Sequence, residues 1–154
     1  MAQKKSKIAD MVLDEHKIIR DCLNSLSKQV TKKIKEKDFA EWRLEFIWEC
    51  RDFRNHMLKH FDFEELDGFM KEVMEDAPEV VNVVKKLESE HSSLIEKLDK
   101  IIDDFQKMEV KEGEKLVEIQ QRLKRLIISI KAHEKAENDL IQRVYSQEYG
   151  YPAQ

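Results

Sequence analysis

Four long stretches of the sequence place apolar residues at alternating steps of three and four, and each sets a histidine into that line. The first runs Ile8, Val12, His16, Ile19, Leu23, Leu26, Val30. The second runs Phe46, Cys50, Phe53, Met57, His60, Glu64. The third is Val80, Val84, Leu87, His91, Leu94, Leu98, Ile101, Phe105, Met108. The fourth is Leu116, Ile119, Leu123, Leu126, Ile130, His133, Glu137, Leu140, Val144. Such steps draw a stripe along one side of an α-helix, and the stripe is the side that packs on other helices. The composition agrees. Only 3 Gly and 2 Pro occur in 154 residues, and 39% of the residues are charged. That balance suits long helices with solvated outer faces, of which KKIKEKD is one.

Breaker signals divide the chain. Lys32 to Asp38 is a charged connector, and Met108 to Glu112 with Gly113 is another. Asp76-Ala77-Pro78 reads as a helix start, with Asp76 as N-cap and Pro78 in the first turn. The expected helices cover about 6–31, 38–66, 77–108 and 113–147. The stretch from Asp67 to Glu75 either continues the second helix or forms a separate turn, and the tail GYPAQ is expected to be loose. Short connectors favour antiparallel neighbours. The expected fold is therefore all-α, one domain built as an antiparallel up-down-up-down four-helix bundle.

The seams are informative where they are interrupted. Each carries one imidazole, and the second and fourth carry a glutamate one turn after it, His60 with Glu64 and His133 with Glu137. A buried carboxylate is costly unless it is paired or ligated. The two halves of the chain also repeat one another: DEHKII beside SEHSSL, and HFDFEE beside HEKAEN. Residues four apart share a helix face, so each HxxxE offers an imidazole and a carboxylate together. Two such halves about a pseudo-twofold axis can hold two cations between them. Imidazole and carboxylate donors without thiolate suit iron, manganese or zinc, and the excess of imidazole leans towards iron.

Taken in order, HFDFEE on the second helix, EHSSLIEKL on the third and HEKAENDLI on the fourth resemble the hemerythrin family, in the broad form called the HHE cation-binding domain. The resemblance runs from His16 to about Leu140. It implies a four-helix bundle around a non-haem centre of two iron ions, bridged by carboxylates and an oxo or hydroxo group. Carried onto this chain, His16 and His60 hold one iron, His91 and His133 the other, and Glu64 and Glu137 bridge. The family's oxygen carriers have another histidine one turn before the His91 position, where this chain has Leu87. They also carry a fourth-helix aspartate where this chain has Asn138; its carboxylate is Glu137. His56, one turn before His60, is a candidate to supply the missing ligand or to support one.

The functional expectation is a cytoplasmic protein that binds, stores or senses dioxygen without enzymatic turnover. Alternatives are chemistry on peroxide or nitric oxide, or an iron- or oxygen-responsive regulatory module. Phe46, Phe53, Phe61, Phe63 and Trp48 are expected to pack, some of them along an oxygen pocket. Glu65 is expected at the solvated edge of the site, Asp139 on the surface, and Met57 and Met70 as gap-fillers. Lys and Arg number 28 against 32 Asp and Glu, a net charge of −4 that does not suit nucleic acid. No apolar run reaches membrane length, and the basic N-terminus lacks the apolar stretch of a secretory signal. Cys22 and Cys50 have no CxxC partner and read as reduced, core-facing thiols. Glu88 and His91 form the one ExxH, short of the pair that ferritin-like oxidases use, and no HExxH, GxxxxGK[ST] or GxSxG is present.

Overall fold

The computed structural model describes residues 6–145, and every regular element among them is helical. Helix α1 spans Lys7–Thr31 and α2 spans Phe39–Glu65. A short α3 covers Phe69–Asp76, α4 covers Val81–Lys107 and α5 covers Gly113–Tyr145. Ser6 caps α1, its hydroxyl accepting the Ala9 N–H at 3.0 Å.

The apolar stripes make the bundle. α1 packs on α2 and α5, and α4 packs on the same two helices. Polar contacts pin the pairs along their length. Ser25 donates to Glu49 at 2.6 Å across α1 and α2, and Gln120 donates to the Val30 carbonyl at 2.9 Å across α1 and α5. Arg43 donates to the Gln106 carbonyl at 3.0 Å, and Arg122 meets Asp104 at 2.6 Å. The core falls into two apolar clusters. One includes Leu23, Phe46, Phe53, Leu98, Phe105 and Leu123. The other includes Val12, Phe69, Val73, Leu87, Leu140 and Ile141. On α1, α4 and α5 the buried histidines and glutamates fall between residues of the two clusters, and on α2 they fall between the first cluster and Phe69, Met70 and Val73 of α3. Each large apolar side chain so buried contributes about 1.5–3 kcal/mol, enough in sum for the bundle to tolerate a polar layer.

Most of the seam residues are buried as the spacing predicts; Ile8 and Val144, near the helix ends, are half-buried. Three local expectations need correction. The segment after α2 is a helix of its own, since Gly68 turns the chain with φ 106° and α3 starts at the next residue. Asp76 is not an N-cap: it closes α3, and its carboxylate accepts the Tyr145 hydroxyl at 2.5 Å. Pro78 instead opens a single 3-10 turn, Pro78–Val80, ahead of α4. Trp48 is 70% exposed, because it falls between Phe46 and Cys50 on the far side of the helix from the seam. The packing indole is Trp42, stacked on Phe46 with ring centres 5.1 Å apart. The GYPAQ tail and the expected end of the last helix at 147 lie outside the described residues.

α3 closes one end of the bundle. Phe69, Met70 and Val73 are buried, Ser6 of α1's cap bonds Glu72, and Tyr145 of α5 bonds Asp76. Cys22 and Cys50 are free thiols; burial, with Glu49 nearby, pushes Cys50 up to about 12 and leaves it unreactive. No described helix is long and apolar enough to cross a membrane.

A β-carbon on Gly68 would meet nothing within 4 Å, so a substitution there is opposed by backbone conformation alone. Gly68→Ala is expected to cost about 1–2 kcal/mol, the usual penalty of a left-handed alanine, and to lower Tm by a few degrees. An unchanged Tm in thermal melts would contradict the strained turn.

Candidate metal centre

Six of the sequence-predicted residues meet in one polar layer. His16 comes from α1, His60 and Glu64 from α2, His91 from α4, and His133 and Glu137 from α5. All six are buried, with Glu64 and Glu137 at 0% exposure. They fall into two groups able to hold a metal ion: His16, His60, Glu64 and Glu137, and Glu64, His91, His133 and Glu137. Both carboxylates belong to both groups.

The oxygen atoms show how that sharing works. Glu137 turns Oε1 to His16 Nε2 at 3.0 Å and to His60 Nε2 at 3.8 Å. Its Oε2 faces His133 Nε2 at 3.5 Å and His91 Nε2 at 4.0 Å. Glu64 divides in the same way, with Oε2 at 3.4 Å from His60 Nε2 and Oε1 at 3.3 Å from His91 Nε2. Each carboxylate thus spans the two histidine pairs.

The other ring nitrogens point outward to partners. His60 Nδ1–H donates to Glu15 at 2.6 Å, and His133 Nδ1–H donates to Glu90 at 2.8 Å. His16 Nδ1–H donates to the Asn138 side-chain oxygen at 2.7 Å, and His91 Nδ1 lies 3.3 Å from Glu65. These contacts obey the internal repeat. Glu15 and Glu90 each precede a seam histidine and hold the histidine of the neighbouring helix. Asn138 and Glu65 each follow a seam glutamate and hold another. For His16, His60 and His133 an acceptor at Nδ1 fixes the tautomer that leaves Nε2 with a lone pair, the arrangement that metal-binding histidines use, while His91 Nδ1 has Glu65 near it without a hydrogen bond.

Whether the cluster fits metal ions can be tested on its unpaired atoms. Nε2 of His60, His91 and His133, both oxygens of Glu64 and Oε2 of Glu137 are buried without a hydrogen-bond partner. Buried polar atoms are rarely left so. Here they converge on shared points, and imidazole nitrogen with carboxylate oxygen is a donor set suited to iron. The residues fit a pair of such ions.

The metal-free electrostatics follow from the same crowding. Burial alone would push His60 down, but Glu137, Glu15 and Glu64 outweigh it and raise the imidazole to about 12. Burial likewise opposes charge on His91, and Glu137 with Glu64 raises it to about 10. His16 and His133 are also raised, chiefly by Glu137. Burial and the neighbouring Glu137 carboxylate push Glu64 up, while Glu137, despite its burial, is held well below the usual range by its contacts with Glu64 and the histidines.

His56 is not in this layer. Its side chain is 49% exposed, lies 3.7 Å from Asp52 and falls in neither group of candidate ligands. It follows Asn55 on the outer face because Met57 occupies the seam position. Leu87 is buried and offers no donor. Asp139 is on the surface, paired with Lys135 at 2.9 Å, and Met57 and Met70 are core. Phe61 is more than packing, since it stacks on His91 with ring centres 3.8 Å apart and planes within 8°. Sequence reasoning passed over Glu15, Glu90 and Glu134. The first two had a signal, the dipeptide Glu-His occurring at both repeat-related positions. Glu134 had a weaker one, a charge flanking a seam position.

The profile of the hemerythrin family, described as Hemerythrin HHE cation binding domain, matches residues 7–145. No curated protein and no solved structure gives a significant match.

The raised histidines set a pH dependence for the metal-free protein. Their ordinary value is 6.5, so the stability they lend is complete below that pH and is lost as pH rises through about 10 for His91 and about 12 for His60. Protein stripped with a chelator is expected to show a Tm that falls between pH 6.5 and pH 10. A Tm that holds or rises over that window would contradict the charge assignment.

Proposed function

The chain belongs to the hemerythrin family of HHE cation-binding domains, and on that premise we propose that it is a non-haem di-iron protein that binds dioxygen, for storage or sensing, without enzymatic turnover. The observation that carries this reading is the division of oxygens in Glu64 and Glu137. Each turns one oxygen to the His16/His60 pair or its member and the other to the His91/His133 side. A carboxylate that served one metal would not need that posture. His16 and His60 would hold one iron through Nε2, His91 and His133 would hold the second, and Glu64 and Glu137 would serve both. Glu15, Glu90 and Asn138 orient the rings of His60, His133 and His16 by hydrogen bonds, and Glu65 lies 3.3 Å from His91 Nδ1. Two ferrous ions in such a centre supply the electrons that dioxygen binding draws on.

The protein's own residues do the rest. The apolar clusters on either side of the layer keep bulk water away, and α3 closes one end. The proposed topology is antiparallel, up-down-up-down. Its support is the order of the cross-helix contacts: Glu15 with His60 and then Ser25 with Glu49, or Glu90 with His133 and then Asp104 with Arg122. The two free thiols support a reducing, cytoplasmic setting.

One observation favours a second reading. With Leu87 apolar and His56 on the surface, the His91/His133 half has two imidazoles rather than three. A centre with one donor fewer has an additional open position, and that suits turnover of peroxide or nitric oxide.

The deciding experiment loads the chain with ferrous iron under nitrogen and then admits air. About two irons per chain are expected, with near-ultraviolet charge-transfer absorption that appears in air and reverses on deoxygenation. Absorption that never reverses would move the assignment to peroxide or nitric oxide chemistry. Failure to take up stoichiometric iron would sink both. His56→Ala is expected to keep wild-type iron content and spectrum, whereas Glu137→Ala is expected to lose both irons, because it removes a carboxylate common to both groups.

A further inference from the structure

The internal repeat relates the two halves of the centre, and it fails at the residue that follows the histidine of each HxxxE. His60 corresponds to His133, Glu64 to Glu137 and His16 to His91. The residue after His60 is Phe61, and the residue after His133 is Glu134. Phe61 lies flat on His91 and edge-on to His133, with ring centres 5.8 Å apart in the second contact. It gives the His91/His133 half an aromatic wall that can neither donate nor accept a conventional hydrogen bond.

Glu134 occupies the matching place beside the other half. Its electrostatic neighbours are His16 and His60, followed by Glu137 and Arg20. The residue is 1% exposed, and neither of its carboxyl oxygens has a hydrogen-bond partner. It also stands outside both groups of candidate ligands. A buried carboxyl with nothing to bond is a costly feature, and it persists where a partner from outside the chain completes it. On the same side of α5, Ile130 one turn earlier and Ile141 two turns later are buried and apolar, so burial there does not by itself call for a polar side chain.

We infer that Glu134 lines the position at which the His16/His60 half receives a small polar ligand, and that it hydrogen-bonds that ligand without ligating the metal. The inference rests on the di-iron reading above. It makes the two metals unequal although their protein ligands are matched. One half has Phe61 stacked on its ligand rings; at the other, Glu134, as the neutral acid that burial without a partner favours, can donate a hydrogen bond to a small anion or oxygen species bound there. A ligand able to accept or share a hydrogen bond is retained at that half, and an apolar diatomic gains less from it.

Azide is a suitable probe. Wild-type chain, Glu134→Gln, Glu134→Leu and Phe61→Leu are loaded with iron, oxidised, and titrated with sodium azide while the charge-transfer absorption is followed. Gln and Leu are both uncharged and similar in size, so their comparison isolates the hydrogen bond. All four proteins are expected to hold the same iron. Glu134→Gln is expected to bind azide about tenfold more tightly than Glu134→Leu, the effect of one hydrogen bond to a charged ligand. Phe61→Leu is expected to bind it as the wild type does. Equal azide affinity in the Gln and Leu variants would overturn the role of Glu134. So would loss of iron in both, which would make the residue a ligand, or a change in Phe61→Leu as large as that in Glu134→Leu. Glu134→Ala replaces the Leu variant if that protein does not fold. Wild-type chain that takes up no iron defeats the di-iron reading itself, and is seen before any azide is added.

Discussion

Two carboxylates with no solvent exposure lie in the middle of an apolar bundle, and most of the site follows from that placement. Burying an ionised carboxylate costs several kcal/mol unless opposite charge sits against it. Glu64 and Glu137 draw that charge from the imidazoles of all four long helices. In the metal-free chain the imidazoles take up protons to do so, and their raised affinities are the mark of it. Metal ions can replace those protons. The same geometry then changes from a cluster of mutually compensating ion pairs to a set of donors aimed at shared points.

The fold is arranged to make the layer affordable and to hold it still. Apolar clusters flank it on both sides, so its neighbours along every seam are hydrophobic. Each ring has behind it a residue that the chain places next to another ligand: Glu15 beside His16, Glu90 beside His91 and Asn138 beside Glu137 hydrogen-bond theirs, and Glu65 beside Glu64 lies 3.3 Å from His91. A helix that presents a ligand inward therefore also presents, one residue away, a brace for the ligand of its neighbour. Movement of any one helix would disturb both. This coupling gives the centre its rigidity, and the internal repeat applies it twice.

Much of this was legible in the sequence, for a physical reason. A helical seam is a strict pattern, so a histidine or glutamate upon it must face the core, and His16, His60, Glu64, His91, His133 and Glu137 could be placed together before any coordinates. Residues one step off the seam were harder to place. Glu134 and Ile127 are buried because the α5 stripe extends one residue past the seam, as the α2 stripe does at Ile47 and Phe61, whereas His56, one residue before a seam position, and Trp48, midway between two, are exposed. The pattern of one helix does not say how far its neighbours wrap around it. Helix ends were also blurred. Asp76 had the look of a cap, but the distant Tyr145 hydroxyl engages it, and no local rule reports such a contact.

Whether Glu64 and Glu137 each serve two metals is tested directly by diffraction from iron-loaded crystals at the iron absorption edge. Two anomalous peaks per chain are expected, one at His16 and His60 and the other at His91 and His133, with an oxygen of both glutamates directed to each. A single peak, or two peaks with either glutamate bound to only one of them, would contradict it.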